Sequence, residues 1–310
     1  MSTPDNQIRI HEVAPRDGLQ NEPERLDTST KLTLIQGLAD AGLREIEITS
    51  FVRGSWIPQL ADAEAVVRGL PRVHGVNYWA LVPNRVGLER ALDVGVNNIA
   101  TFMSASPTHN LKNLNRTQRE SLTILREVIG TARAEDLGVR SYISTVFGCP
   151  YEGEVSTTST CELALELLDA GADQVVLGDT TGMGNPLQVQ TTIRALVASG
   201  IGLDAMAVHL HDTRGTALAN CIAAWQEGIR TFDSSIAGVG GCPYAPGAAG
   251  NVATEDLVQV FEAMGVHTGV NLEAAAQVGM ELARAIGRDL PGRYHRFHAA
   301  TATHANSQTA

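Results

Sequence analysis

The stretch AVHLHDTRG, residues 207–215, ends an apolar run with His209 and His211 one residue apart, followed by Asp212. On a β-strand, side chains at i and i+2 share a face, so two imidazoles would stand about 7 Å apart along it, close enough for one metal ion to bridge. Taken alone, the pair equally suits a hydrogen-bonded core histidine beside a solvent-facing one. Other polar residues fall at the ends of similar apolar runs. The first, HEVAPRDGLQNE, offers Glu12, Arg16, Asp17 and Gln20; the second carries Glu47; the sixth ends at Asp179; beyond the eighth, GVGGCPYAPGAAGN brings Cys242 and Asn251. Asp17, His209, His211 and the amide oxygen of Asn251 form an oxygen and nitrogen set without thiolate. Such a set suits Mg²⁺ or Mn²⁺ with positions left open for water or substrate, whereas zinc would normally recruit more sulfur or histidine. Arg16 adjoins a proposed ligand and could hold a carbonyl oxygen as negative charge develops on it, a contribution on the order of 3 to 4 kcal/mol. The glycine-rich segment around Cys242 is expected to be a mobile lid carrying one reactive group.

Positioning these groups requires a particular scaffold. Eight short β-branched or apolar runs begin near residues 7, 44, 77, 98, 140, 174, 205 and 231, with segments of helical periodicity between them. Gly42, Gly95, Gly138, Gly171, Gly200 and Gly228 each precede the next run, where a left-handed residue stops a helix. A strand–helix–glycine unit repeated eight times predicts an α/β fold, a (β/α)8 TIM barrel, whose chemistry gathers at the C-terminal ends of the strands. No G-x-G-x-x-G follows the first run, which argues against a doubly wound open sheet. NLEAAAQVGMELARAIG predicts an additional C-terminal helix packed on the barrel. One catalytic domain over 1–287 and a polar, disordered tail over 288–310 complete the expectation.

Composition narrows the class. A chain of 310 residues, 44% hydrophobic and 18% charged, can bury a sizeable core. Its net charge of −11 and lack of clustered Lys and Arg argue against nucleic acid as a partner. There is no apolar run of about 20 residues, and MSTPDNQ lacks the layout of a signal peptide, so a cytoplasmic protein with no membrane partner is expected. The cysteines at 149, 161, 221 and 242 show no C-x-x-C spacing, which points to reduced thiols.

From about residue 8 to about 287, the stretches EVAPRDGLQNE, IEITSFV, FGCPYEG, LGDTTGMG, VHLHDTRGTALAN and DSSIAGVGGCPYAPGAAGNVATEDLV resemble the 3-hydroxy-3-methylglutaryl-CoA lyases, among the metal-dependent lyase and Claisen-condensing barrels. The resemblance implies cleavage of 3-hydroxy-3-methylglutaryl-CoA to acetyl-CoA and acetoacetate, as in leucine catabolism and ketone-body formation. It also implies Asp17, His209, His211 and Asn251 as metal ligands and Arg16 as the residue stabilising the thioester enolate. Glu12, Glu47, Asp179 and Glu255 fall on acidic positions that organise substrate or metal, and Cys242 on a catalytic lid cysteine; His209 or Cys242 would handle protons. A homodimer is expected because relatives are often dimers. Arg214, where animal relatives have an aromatic residue, and Pro23, often lysine there, leave the ligand set intact but bear on how the acyl chain and CoA handle are held. A lyase for another 3-hydroxyacyl-CoA, a condensing acyltransferase and a catalytically silent barrel are the alternatives.

Overall fold

The structure, a computed structural model, describes residues 6–242 and 245–308, with side chains left out for 242–248 and 302–308. Eight parallel strands, β1 (Arg9–Glu12), β2 (Glu45–Ser50), β3 (Asn77–Leu81), β4 (Asn98–Ser104), β5 (Gly138–Ser144), β6 (Gln174–Asp179), β7 (Met206–Leu210) and β8 (Thr231–Ser234), pair in sequence order and close when β8 meets β1. Around them lie α1 (Thr28–Asp40), α2 (Ala63–Gly69), α3 (Arg85–Asp93), α4 (Pro107–Leu114), α5 (Gln118–Ala134), α6 (Thr157–Asp169), α7 (Pro186–Ala198) and α8 (Ala217–Gln226). The expected (β/α)8 barrel is therefore present, with each of the eight runs a strand. Local chemistry starts the helices where the sequence allows. Thr117 and Glu120 form a reciprocal capping box at α5, and Asn185 and Gln188 form another at α7, where Pro186 supplies a preset φ.

The main apolar core lies between strands and helices; Ile46, Ile99, Val139 and Val175 from the strands and Leu38, Ile129, Leu167 and Ile193 from the helices are fully buried there. Inside the barrel the apolar cluster is small, Leu81, Ala100, Tyr142, Val176 and Ala207. Beside it the interior holds the buried polar and charged residues His11, Glu47, Arg140, His209 and Asp233.

Of the glycines expected to stop helices, Gly42, Gly95, Gly171, Gly200 and Gly228 have positive φ, and Gly138 does not. At that end the left-handed residue is Asp136 (φ 57°), and Gly138 instead opens β5, where a Cβ would sit 2.5 Å from Asn98 Oδ1. The glycine there permits close approach of a side chain rather than a helix stop.

After β8 a two-stranded antiparallel ribbon, β9 (Gly241–Cys242) and β10 (Ala245–Ala249), leads into α9 (Thr254–Ala263). The helix expected near the C-terminus is α10 (Leu272–Ile286), started by Asn271 and stopped by Gly287, with Val278 packed on Gly37 of α1. The segment expected as a disordered tail differs: it contains a last helix, α11 (Tyr294–Gln308). Its start is fixed because the Asp256 carboxylate accepts the Arg293 and Tyr294 amides at 2.6 to 3.0 Å, and His295 is buried behind them. Polar composition after residue 288 concealed this cap, whose acceptor lies far away in sequence.

Candidate active site

A π-helical turn at Ala14–Gly18 follows β1, and the Val13 carbonyl accepts the amides of Arg16, Asp17 and Gly18 at 2.8 to 3.2 Å. This widened turn presents Arg16 and Asp17 side by side at the barrel mouth, a use of π-turns that recurs at functional sites. Strand β7 carries His209, and its inward alternation continues to His211 just past the strand end. A bridge pairs His211 with Asn251. Asn251 reaches the mouth because the chain closes tightly before it: Gly250 N–H donates to the Gly240 carbonyl at 3.1 Å. Gly240, at φ +113°, leaves no room for a Cβ, which would meet Asn251 Nδ2 at 2.7 Å.

Asp17, His209 and His211 thus converge, and Asn251 reaches the same point but turns its amide nitrogen, not the oxygen expected as a ligand, toward Asp17. His209 Nε2 and His211 Nε2 are 3.2 Å apart, Asp17 Oδ2 lies 3.9 Å from His209 Nε2, and Asn251 Nδ2 donates to Asp17 Oδ2 at 2.9 Å. One ligand atom from each of Asp17, His209 and His211 falls within 4.8 Å of the others. One tautomer lets these two nitrogens hydrogen-bond to each other, and with both lone pairs turned to the cavity the mixed nitrogen and oxygen donor set fits a divalent cation. Protonation states agree. Burial opposes the charge of Asp17, yet the Arg16 guanidinium and then His209 hold its carboxyl down to about 2. Burial, reinforced by His209, pushes His211 down to about 3, so its lone pair is available.

Arg16 is clamped on both sides: Nε donates to Glu47 Oε1, Nη1 to Asp17 Oδ1, and its plane lies over the Tyr142 ring, 5.5 Å from the centroid. Burial works against its charge, but Glu47 and Asp17 raise its pKa further. Gln20 Nε2 donates to Asp17 at 3.1 Å. A cavity of about 300 Å³ opens over these groups, lined by Arg16, Asp17, Phe102, Tyr142, His209 and His211 among others.

The structure does not bring every expected residue to this cavity. Glu12 is fully buried behind it and accepts the Ala14 and Ile236 amides at 2.8 and 3.0 Å and the Thr254 hydroxyl at 2.6 Å, tying β1 to the turn after β8 and to α9. Burial raises it to about 7 despite these donors. Asp179 accepts the Met183 and Gly184 amides at 2.9 and 3.0 Å, shaping the loop after β6. Glu255 accepts the Ala237 amide at 2.7 Å, and burial pushes it up to about 8. Backbone Gly241 lines the cavity, but the Cys242 side chain lies outside the described residues.

Beneath the cavity lies a charged layer that sequence reasoning missed: His11 of β1, Arg140 and Tyr142 of β5 and Asp233 of β8. The Asp233 carboxylate accepts Arg140 Nη2 at 2.7 Å and pairs with His209 Nδ1 at 3.2 Å. Tyr142 Oη is 2.8 Å from both Glu47 Oε2 and Asp233 Oδ2. Burial opposes ionisation of Asp233, but Arg140 and the His209 hydrogen bond hold it far below the carboxylate range. An ionised Asp233 accepts a hydrogen bond from His209 Nδ1–H, which leaves the Nε2 lone pair facing the cavity. The one available signal was register: Asp233 pairs with His209 across β7 and β8. Asp233→Asn is expected to weaken Mn²⁺ binding about 10–100-fold, because an amide no longer fixes this tautomer. Isothermal titration checks it, and unchanged affinity would remove Asp233 from the site.

Fold and site together define a class: TIM-barrel proteins with a group of side chains at the strand C-termini that could hold a metal ion. More narrowly, the chain belongs to the HMGL-like family, which it matches over residues 7–281. It is 50% identical over 286 residues to hydroxymethylglutaryl-CoA lyase YngG of Bacillus subtilis, covering 92% of this chain and 95% of that one. A crystal structure of the Bacillus subtilis HMG-CoA lyase superposes with a TM-score of 0.93 at 48% identity, covering 96% of this chain and 99% of the other. An HMG-CoA lyase from Acinetobacter baumannii, solved with coenzyme A and 3-methylmalate, gives 0.91 at 38% identity, with 96% of each chain covered.

Proposed function

We propose that this chain cleaves 3-hydroxy-3-methylglutaryl-CoA to acetyl-CoA and acetoacetate with Mg²⁺ or Mn²⁺ held by Asp17, His209, His211 and Asn251. The observation that carries the reading is the 3.2 Å approach of the two imidazole Nε2 atoms beside Asp17 and Arg16, in a chain half identical to a lyase of that name. A bound cation supplies Lewis-acid polarisation of the substrate's tertiary hydroxyl. Cys242 takes the hydroxyl proton, because His209 Nε2 is the nitrogen that would hold the cation and its Nδ1 is held by Asp233. The carbon–carbon bond then breaks, its electron pair passing into the thioester enolate, whose oxygen Arg16 meets with a fixed guanidinium. Protonation of the enolate carbon completes acetyl-CoA, and the former alcohol carbon becomes the ketone of acetoacetate.

Glu47 keeps Arg16 in place, while Glu12 and Asp179 organise the loops around the reacting groups. Residues 1–287 make up the catalytic domain, acting in the cytoplasm as a homodimer. Among the described residues, no helix is long and apolar enough to cross a membrane.

The test is an assay of several 3-hydroxyacyl-CoA thioesters with and without chelator, following rate and products. Acetyl-CoA and acetoacetate should form from 3-hydroxy-3-methylglutaryl-CoA, stop on metal removal and return with Mn²⁺ or Mg²⁺. Full turnover after exhaustive stripping, or preference for another thioester, would reject the reading.

A further inference from the structure

Three of the four expected metal ligands reside on loops that are neighbours around the rim, Asp17 after β1, His211 after β7 and Asn251 after β8, while His209 lies on β7 itself. One short segment, between the end of α10 at Gly287 and the first turn of α11, touches all three. Arg288 forms a two-pronged pair with Glu22, Nη2–Oε1 2.6 Å and Nε–Oε2 3.2 Å. Glu22 is buried, its amide donates to the Leu19 carbonyl, and Leu19 caps the π-turn that presents Arg16 and Asp17. Arg293 Nη1 donates to Asp212 Oδ2 at 3.3 Å; Asp212 follows His211 directly, and its amide donates to the Gly250 carbonyl beside Asn251 at 2.6 Å. Gly292 N–H donates to the Ala237 carbonyl at 2.8 Å, and His295 Nδ1 lies 3.7 Å from Glu255 Oε1. The Gly292 contact holds the turn that ends at Val239, whose carbonyl accepts from Asn251 Nδ2 at 3.3 Å.

A helix merely packed on a barrel would bury an apolar face, as α10 does. This segment instead places a polar contact behind each ligand loop, at Glu22 and Asp212 within five residues of a ligand and at Ala237 in the turn that leads toward Asn251. We propose that residues 288–295 are a positioning strap for the metal-holding rim, with Arg288, through Glu22, setting the placement of the turn that carries Arg16 and Asp17. The inference rests on the metal-dependent reading above and adds residues to it that contact neither metal nor substrate.

The physical expectation is that of an outer support: ligand groups stay intact but are held less well. Removing such a partner weakens metal affinity about 10–100-fold in characterised sites. The experiment is Mn²⁺ titration of the full chain by calorimetry and by electron paramagnetic resonance, beside thermal melting, for Arg288→Met, Arg288→Lys and Glu22→Gln. Arg288→Met should bind Mn²⁺ about tenfold more weakly and broaden the bound-Mn²⁺ spectrum, and Arg288→Lys should restore most of the affinity because it keeps a cation on Glu22. Glu22→Gln leaves no unpaired buried carboxylate, so it carries the test if Arg288→Met fails to fold, and it should show the same loss. A chain ending at Ala300 retains every contact named and should bind Mn²⁺ as the full chain does.

A lowered melting temperature with unchanged Mn²⁺ affinity in Arg288→Met or Glu22→Gln would overturn the strap. So would an equal loss in the chain ending at Ala300, which would assign the effect to the rest of α11. Failure of the unaltered protein to bind Mn²⁺ is a distinct result that overturns the metal-dependent reading, and the strap with it.

Discussion

Arg16→Met should lower turnover of the thioester about 10²–10³-fold, the range seen when one fixed donor to a developing oxyanion is removed, while Mn²⁺ affinity changes little. The separation follows from what Arg16 touches. It pairs with Asp17, but that carboxyl is also held by Asn251 and by the field of His209, so it stays ionised at neutral pH without the guanidinium. The other partner, Glu47, is fully buried and loses its strongest counter-charge. Stranding one member of a buried pair typically costs about 3–5 kcal/mol, moderated here by Tyr142 Oη at 2.8 Å and His11 Nε2 at 3.7 Å. Melting temperature should therefore fall as well, and turnover has to be compared well below it. Arg16→Lys separates charge from shape, since an ammonium keeps the charge but cannot span Glu47 and Asp17 as the planar fork does. Turnover of Arg16→Met within tenfold of the unaltered chain would remove Arg16 from the reaction.

The frame of this site was legible in the sequence because strand and helix periodicities and the H-x-H spacing are local signals. Asp17, His209 and His211 could be brought together once β1 and β7 were known to end at one mouth. Asn251 was placed by the same logic, although its approach depends on the Gly240–Gly250 closure that no period reveals. What stayed hidden is non-local. Arg140, Tyr142, His11 and Asp233 lie inside the barrel, where side-chain layers are ordinarily apolar, and each looks like an ordinary polar strand residue until closure places Asp233 against Arg140, 93 positions away. Glu12 and Asp179 were drawn toward the site because they end strands. Their oxygens are instead taken by backbone amides and, for Glu12, the Thr254 hydroxyl, which only the folded loops aim at them.

This charged interior links stability to function. His209 is the joint: its Nδ1 belongs to the buried network through Asp233, and its Nε2 belongs to the cavity. Burial opposes its charge, but the Asp233 hydrogen bond and the Asp17 charge together raise its pKa. A cation arriving at Nε2 therefore competes with a proton there, so metal affinity should rise with pH while the number of protons released on binding falls. His211 makes no such demand, being neutral throughout the ordinary range.

That difference makes His211→Ala the sharper ligand test. Removing the ring deletes a metal donor, and the loss of Mn²⁺ affinity should exceed the roughly 10–100-fold produced by outer-shell changes; turnover should fall with it. The metal-free protein should barely notice. Among the described residues His211 Nδ1 is buried with no hydrogen-bond partner, so the substitution removes an uncompensated polar atom along with some packing, and these oppose one another. The comparison is then between two melting curves. Mn²⁺ at 100 times its dissociation constant should stabilise the unaltered chain by about 2.7 kcal/mol, whereas His211→Ala should melt at the same temperature with or without it. A variant that keeps the full Mn²⁺-induced shift would show that the two imidazoles meet for some reason other than metal.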